Sequence, residues 1–241
     1  MKALILAAGR GTRMGNMTED LPKPMIPVAG KPILERILIG LKRAGVEDFG
    51  LITGYKSEVV QGYFGDGRDR GVRIEYFQQT ELDGTAKALL LGKEAIGGSD
   101  FFLSWGDILV DPSNYPMMRE KFEAGGVDAV EAVNEMEDPY RGSSVVFDEA
   151  GIVQRIIEKP PKGTAPSPYN GSGIFCFHPA VFEFAERVPI SPRGEYELPQ
   201  ALQMMIEAGK KIRAHPIEGY WGDVGTPEDW ERMNELLAND E

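Results

Sequence analysis

The chain has 241 residues, of which 42% are hydrophobic and 27% charged, a composition typical of a folded globular protein and not of a disordered or fibrous one. Its formal net charge of -12 repels nucleic acid and anionic membrane surfaces, so neither is an expected partner. The single cysteine, Cys176, excludes an internal disulfide framework, and no apolar run approaches the roughly 20 residues of a bilayer span. These features predict a cytoplasmic protein.

Basic residues are concentrated near the N-terminus. Residues 1–43 hold eight Lys or Arg against three Asp or Glu, a local balance of +5, so the remainder carries -17. A basic segment on an acidic body suits a small polyanion. The alternative is an uneven but fully solvated surface charge.

Strand-like and helix-like patterns alternate through the first half of the chain. Strands are predicted at residues 4–6, 49–53, 72–77 and 101–105. Helices are predicted from Pro32 to Gly45 and at residues 57–64, 86–95 and 115–124. Strands separated by helices of this length imply parallel βαβ units with helices on both faces of the sheet.

The second half is more mixed. Strands are predicted at residues 127–133, 143–147, 152–157 and 173–177, and helices near 179–187, 198–208 and 227–237. No internal repeat or linker divides the chain. The expected fold is therefore one α/β domain over residues 1–241, a Rossmann-like three-layer αβα arrangement with a mixed, mostly parallel central sheet.

A glycine-rich turn, residues 6–14, follows the first predicted strand. Glycines there let the backbone approach a ligand closely, and exposed N–H groups can hold phosphate oxygens. Met14 stands where the dinucleotide fingerprint requires Gly or Ala, and no Gly-Lys-Ser/Thr follows as in a Walker loop. A tight turn without a ligand is the alternative.

Pro22-Lys23-Pro24 follows this turn and strengthens the phosphate interpretation. The flanking prolines restrict the backbone of Lys23 and lower the entropy lost when its cation is held in place. Arg13 and Lys23 around a glycine turn suit a triphosphate, although a pair of solvated surface charges is the alternative.

Together, Gly9-x-Gly11-Thr12-Arg13, Pro22-Lys23-Pro24 and Pro27-Val28 resemble the signature of the sugar nucleotidylyltransferase (NDP-sugar pyrophosphorylase) family. Later landmarks of the family recur in order along nearly the whole chain. The resemblance implies that a sugar 1-phosphate reacts with an NTP to give an NDP-sugar and pyrophosphate, with Mg²⁺ as the cofactor.

The resemblance also assigns roles to individual residues. It implies catalytic roles for Arg13 and Lys23, and nucleotide binding by Leu6, Ala8, Gly9, Gly11, Thr12, Gln78, Gln79, Gly84 and Thr85. One of the two glutamines is expected to read the base. Sugar-phosphate binding is implied for Gly142, Glu158, Lys159, Asn170, Gly173 and Arg193, and metal binding for Asp107 and Asp223. The resemblance thus divides the chain into a nucleotide half, about 1–125, and a sugar-phosphate half, about 126–241.

Asp107 also has a physical argument in its favour. It closes Trp105-Gly106-Asp107 at the carboxyl end of a predicted strand, where open parallel sheets bind their ligands. The alternative is an aspartate that caps the next turn. For Arg193 and Glu195 the alternative is an ordinary exposed ion pair.

Substrate identity is less constrained than the reaction. Gly84-Thr85-Ala86 with the two glutamines favours dTTP or UTP with glucose 1-phosphate, whereas guanylyl transfer to mannose or heptose 1-phosphate and cytidylyl transfer to glucose 1-phosphate are alternatives.

A non-catalytic nucleotide-sugar-binding regulator is a further hypothesis, as is a nicotinamide-dependent oxidoreductase. Self-association into a homo-oligomer is possible. His178, His215 and Cys176 are interpreted as structural residues.

Overall fold

A computed structural model describes residues 1–238. The strands are β1 (Lys2–Ala7), β2 (Pro27–Val28), β3 (Lys31–Pro32), β4 (Asp48–Thr53), β5 (Arg73–Gln78), β6 (Phe101–Trp105), β7 (Ile108–Val110), β8 (Ala129–Glu135), β9 (Ser143–Phe147), β10 (Val153–Glu158), β11 (Tyr169–Phe177), β12 (Ile212–Pro216) and β13 (Trp221–Asp223). The α-helices are α1 (Ile33–Arg43), α2 (Ser57–Phe64), α3 (Thr85–Leu91), α4 (Lys93–Ile96), α5 (Asn114–Glu123), α6 (Val181–Ala185), α7 (Leu198–Glu207) and α8 (Pro227–Leu237). Short 3-10 helices cover Thr12–Thr18, Lys23–Met25 and Arg68–Arg70.

One mixed sheet organises the molecule. Its strands run in the order β10-β9-β11-β6-β1-β4-β5, and β8 pairs with both β11 and β12. The neighbours β6, β1, β4 and β5 are parallel, whereas β11 is antiparallel to both β6 and β8. The parallel strands therefore carry their carboxyl ends, and the loops that follow them, to one edge of the sheet.

Helices cover both faces of this sheet, as the side-chain alternation of β1 requires. Ala3, Ile5 and Ala7 pack with the layer that contains α1, α2, α5 and α8. Leu4 points to the opposite layer, which contains α3, α4, α6 and α7. This arrangement confirms the three-layer α/β prediction. Within residues 1–238, no helix has both the length and the apolarity to cross a bilayer.

Three parts of the fold differ from the sequence expectations. The helix predicted at residues 86–95 is two helices, α3 and α4, that meet at Gly92. A Cβ at Gly92 would lie 2.5 Å from Leu4 Cδ2, so glycine allows the helices to approach β1 closely at this break. The strands β2, β3, β7, β12 and β13 were not predicted; β2, β3, β7 and β13 have only two or three residues, too few for a clear periodicity. Strand β11 begins at Tyr169 rather than at residue 173.

His215 is fully buried on β12 and links two elements. Its Nδ1 lies 2.8 Å from Lys121 Nζ, and its Nε2 lies 3.0 Å from Asn114 Oδ1. Because the Lys121 ammonium can only donate, Nδ1 accepts and the Nε2–H donates to Asn114, which requires the neutral imidazole. Burial, together with the nearby Lys121 charge, lowers the pKa of His215 to about 4.

We expect His215 to make stability dependent on pH. Above pH 6.5 the histidine is neutral in both the folded and the unfolded chain; between pH 6.5 and about 4 only the unfolded chain gains a proton. The free energy of unfolding should fall by about 3 kcal/mol across this window relative to His215→Gln. Urea unfolding of both proteins from pH 4 to 8 measures the difference. Parallel curves for wild type and His215→Gln would contradict the assignment.

Candidate active site

The glycine turn after β1 packs directly onto Lys23. Gly11 has a φ of +72°, and a Cβ at this position would lie only 2.7 Å from Lys23 Cβ. Glycine is therefore needed both for the backbone conformation and for the close approach. Lys23 begins a short 3-10 helix and is 6% exposed, so its side chain is directed inward rather than into solvent. This excludes the alternative that Lys23 is a solvated surface charge.

Two aspartates from distant parts of the chain meet at the Lys23 ammonium. Lys23 Nζ lies 2.6 Å from Asp107 Oδ2 and 3.3 Å from Asp223 Oδ1. Asp107 follows β6, and Asp223 lies on β13, which pairs with β7 so that Asp223 is opposite Ile108. The Val224 amide also donates to the Asp107 carbonyl at 3.0 Å. The β7–β13 ribbon therefore joins two carboxylates that are far apart in the sequence.

The charges in this cluster shift each other's ionisation. Burial by itself lowers the pKa of Lys23, but attraction to Asp107 and Asp223 outweighs burial and raises that pKa above its ordinary value. Burial and repulsion from Asp107 raise the pKa of Asp223, against the opposing influence of Lys23 and Arg13. Arg13 also adjoins the cluster: a Cβ at Gly225 would lie 3.1 Å from Arg13 Nη2 and 3.2 Å from both Asp223 carboxylate oxygens. The cluster thus combines two cations with two carboxylates.

The donor set around Lys23 fits a hard cation. Asp107 and Asp223 offer only oxygen atoms, and both carboxylates already converge on one positive group. Across residues 1–238 no group of three or more His, Cys, Asp or Glu side chains forms a metal-binding cluster. A cation at this site would have two protein carboxylates and would complete its shell with water or phosphate oxygens, as Mg²⁺ commonly does.

A pocket of about 340 Å³ opens beside this cluster at the carboxyl edge of the sheet. Seven of the predicted site residues line it: Leu6, Ala8, Gly9, Gln79, Gly84, Thr85 and Asp107. Four further residues line it that were absent from the predicted set: Leu82, Ala88, Trp105 and Glu195. Trp105 could have been identified from its position at the end of a strand and beside Asp107, and Glu195 from its place near Arg193, whereas Leu82 and Ala88 carry no distinctive sequence signal.

The structure separates the two adjacent glutamines. Gln79 is buried and lines the pocket. Gln78, the last residue of β5, is exposed, and its Oε1 accepts a hydrogen bond from Ser57 Oγ at 3.4 Å. Gln79 is therefore the glutamine that faces the pocket. Gly11 and Thr12 are not in the lining; Gly11 contacts Lys23 and Thr12 is exposed.

The loop that follows Gln79 is held by the segment before α7. Tyr196 N donates to Asp83 O at 2.7 Å, and Leu198 N donates to Thr85 Oγ1 at 2.9 Å. Gly84, with a φ of +123°, lies so close to the Tyr196 backbone that any Cβ would overlap it. Thr85 is thus partly a structural residue, and the pocket wall depends on a segment more than 100 positions further along the chain.

Glu158 and Arg193, two of the predicted sugar-phosphate residues, form an ion pair. The Arg193 guanidinium donates to Glu158 Oε1 at 3.2 Å and also to the buried carboxylate of Glu197. Ser143 Oγ donates to Glu158 Oε2. Lys159 has a φ of +44°, and its amide donates to the Gly142 carbonyl at 2.7 Å. The expected alternative pairing of Arg193 with Glu195 is not formed; Glu195 lines the pocket instead.

The predicted sugar segment adjoins the pocket through Trp105. Gly173, with a φ of +77°, lies directly against the Trp105 indole and leaves no space for a Cβ. Asn170 is buried beside Gly142, and its Nδ2 donates to Asn134 Oδ1 at 3.0 Å. Trp105 therefore lines the pocket and contacts Gly173, so the two predicted sets adjoin at this residue.

Comparisons with known proteins agree with this geometry. Residues 2–240 match the nucleotidyl transferase family. A low-salt glycan biosynthesis nucleotidyltransferase of Haloferax volcanii is 37% identical over 100% of this chain and 67% of its own length. A UTP–glucose-1-phosphate uridylyltransferase of the same organism is 36% identical over 100% of this chain and 98% of its own length.

Solved structures agree on the fold. A putative glucose-1-phosphate thymidylyltransferase from Bacillus anthracis, in complex with sucrose, matches with a TM-score of 0.90 and 27% identity over 99% of this chain and 96% of its own. A UDP-glucose pyrophosphorylase complexed with UDP-glucose matches with a TM-score of 0.89 over 100% of this chain and 99% of its own; at 23% identity it supports the fold alone. The family match, the relatives that align with the whole of this chain and the converging Lys23, Asp107 and Asp223 lead to one conclusion: the chain belongs to the nucleotidyl transferase family and is a nucleotidyltransferase.

Proposed function

We propose that this enzyme transfers a nucleotidyl group from an NTP to a sugar 1-phosphate and releases pyrophosphate. The observation that supports this proposal best is the convergence of Lys23, Asp107 and Asp223 beside a glycine-lined pocket. Cations and carboxylates in that arrangement suit the handling of a triphosphate. Names of relatives, a glucose-1-phosphate uridylyltransferase and a glucose-1-phosphate thymidylyltransferase, support the same reaction.

The proposed nucleotide subsite is the pocket of Leu6, Ala8, Gly9, Gly84 and Thr85. Its walls come mainly from the first half of the chain, and the triphosphate would extend towards Arg13 and Lys23. Gln79 is proposed to read the base, because it lines the pocket whereas Gln78 does not and instead accepts a hydrogen bond from Ser57. Gly11 and Thr12 would contribute through the backbone of the turn.

Asp107 and Asp223 are proposed to hold Mg²⁺. When bound, the ion would neutralise charge on the phosphates and orient them. The chain's own part is to keep two carboxylates at one point through the β7–β13 ribbon and to hold Lys23 between them. Burial around Lys23 strengthens its electrostatic effect, because little water remains to screen it.

The proposed sugar-phosphate subsite is formed by the second half of the chain, with Gly142, Glu158, Lys159, Asn170, Gly173 and Arg193. Glu158 would accept hydrogen bonds from sugar hydroxyls, and Lys159 and Arg193 would neutralise the phosphate. Arg193 is already oriented by Glu158 and Glu197, which limits the side-chain entropy that binding would cost. The division into a nucleotide half and a sugar half is approximate, since Asp223 and Glu195 of the second half adjoin the nucleotide subsite. Residues 239–241 of the second half lie outside the described part of the chain.

The proposed reaction is an in-line displacement at the α-phosphorus. An oxygen of the sugar phosphate forms a bond to the α-phosphorus, the bond to the bridging oxygen breaks, and that oxygen leaves on pyrophosphate with the electron pair. Because the nucleophile is already an anion near neutral pH, no general base is required. Positioning and charge stabilisation by Arg13 and Lys23 are then the chain's main contributions.

We expect the highest activity with UTP or dTTP and glucose 1-phosphate. The experiment is a matrix of ATP, GTP, CTP, UTP and dTTP against glucose, mannose and heptose 1-phosphates with Mg²⁺, scored by pyrophosphate release. Release that needs both substrates supports the proposed reaction. No release with any pair contradicts it, and a preference for GTP with mannose 1-phosphate would overturn only the substrate assignment. Cytoplasmic location and self-association stay predictions of the sequence.

A further inference from the structure

Glu131 is a buried carboxyl that none of the roles above uses. It lies in β8, is 2% exposed, and its Oε2 has no hydrogen-bond partner among residues 1–238. Burial, with a smaller contribution from the Glu158 charge, raises the pKa of Glu131 to about 8. Near neutral pH the side chain is therefore mainly a carboxylic acid, which can both donate and accept a hydrogen bond.

The position of this carboxyl depends on a missing side chain in the proposed sugar segment. A Cβ at Gly171 would lie 2.7 Å from Glu131 Oε1, so any other residue at 171 would displace the carboxyl. Gly171 lies between Asn170 and Gly173, the two residues of β11 that are assigned to sugar-phosphate binding. The carboxyl thus packs directly against the backbone of that segment at Gly171.

A second buried oxygen, on β11, also lacks a partner, but on the other face of the sheet. Asn170 Oδ1 is buried without a hydrogen-bond partner within the described chain. A Cβ at Gly171 would lie 3.6 Å from Ser143 Cβ, and Ser143 holds Glu158, the proposed acceptor for sugar hydroxyls. The partnerless oxygen of Glu131 therefore lies on the same face of the sheet as Ser143, next to the group that is expected to bind sugar hydroxyls, whereas Asn170, opposite Asn134 in the register, points to the other face.

A buried polar group without a partner destabilises a fold, and an apolar side chain of similar size would suit an ordinary core position better. We propose that Glu131 is a specificity-determining residue of the sugar subsite, where its carboxyl hydrogen-bonds one hydroxyl of a hexose 1-phosphate beside Gly171. A neutral carboxyl matches a hydroxyl because each group donates one hydrogen bond and accepts another. This inference rests on the proposed function and specifies its substrate as a hexose 1-phosphate that carries the contacted hydroxyl.

Calorimetric binding without NTP tests the inference separately from turnover. Glucose 1-phosphate and its monodeoxy analogues are titrated into wild type, Glu131→Leu, Glu131→Gln and the surface control Glu120→Gln. We expect Glu131→Leu to weaken glucose 1-phosphate binding about tenfold, since one hydrogen bond to a buried carboxyl is lost. Glu131→Gln keeps a donor and an acceptor and should stay within about threefold of wild type, and Glu120→Gln should match wild type.

The analogue series distinguishes direct contact from a structural role. One monodeoxy analogue should bind wild type about tenfold more weakly than glucose 1-phosphate but should bind Glu131→Leu as well as the parent does. If Glu131→Leu weakens binding of the parent and of every analogue equally, Glu131 has only a structural role and the inference is overturned. Unchanged binding of glucose 1-phosphate to Glu131→Leu, or no binding to wild type, would also overturn it. Thermal unfolding checks that the variants are folded, and Glu131→Met replaces leucine if that variant is not.

Failure of the proposed function gives a different result. If the analogue pattern is observed but no NTP yields pyrophosphate, the sugar contact of Glu131 stands and the transfer reaction does not. If pyrophosphate is released but Glu131→Leu binds every analogue as wild type does, the reaction stands and the inference is wrong.

Discussion

Lys23→Ala should lower kcat by about 100- to 1,000-fold, because it removes a preorganised buried cation from the place where phosphate charge develops. The variant also leaves Asp107 and Asp223 facing each other without their shared ammonium. Lys23→Met keeps the aliphatic stem against Gly11 and should lose nearly as much activity. That result would show that the ammonium charge, and not the packing of the side-chain stem, supports turnover. Pyrophosphate release at saturating substrates measures the effect.

A matched control for this prediction is Lys93→Ala. Lys93 also pairs with a carboxylate, at 2.6 Å from Glu186 Oε1, but this pair is on the surface and outside the site. Its kcat should stay within about twofold of wild type, since an exposed ion pair contributes little. Thermal unfolding establishes that both lysine variants are folded. A folded Lys23→Met protein with nearly wild-type turnover would exclude a catalytic role for the ammonium.

Asp107→Asn should lower kcat about 100-fold and raise the Mg²⁺ concentration for half-maximal activity about tenfold or more. The amide keeps the size of the carboxylate but loses the negative charge that attracts a divalent ion. Asp223→Asn should behave in the same way. The double variant should lose much less than the product of the two single effects if both carboxylates hold one ion.

Asp111→Asn is the control for the aspartate pair. Asp111 lies close in sequence to Asp107, but its Oδ1 accepts hydrogen bonds from the Ser113 amide and hydroxyl. This variant should keep the wild-type dependence on Mg²⁺. Activity measured from micromolar to millimolar Mg²⁺ gives the comparison. An unchanged Mg²⁺ requirement in both Asp107→Asn and Asp223→Asn would remove these residues from the proposed metal site.

Local sequence patterns were sufficient for much of the fold. Helix α1 follows from its apolar spacing and from the glycine after it, and the parallel core of β1, β4, β5 and β6 follows from short apolar runs between helices. These signals are local because helix and strand periods appear within a few residues. Boundaries failed where a local signal was weak or interrupted, as at Gly92 and along the short strands β7 and β13.

Within the candidate site, the sequence alone pointed to the glycine turn, Lys23 and Asp107, because glycine, proline and charge have local physical consequences after a strand. Only the tertiary structure could bring Asp223 to Lys23, since this contact depends on the pairing of β7 with β13. It alone also selected Gln79 over Gln78 and showed that Glu131 and His215 are buried. Burial and long-range contact are properties of how strands and loops are arranged in space, and a residue's neighbours in the sequence do not determine them.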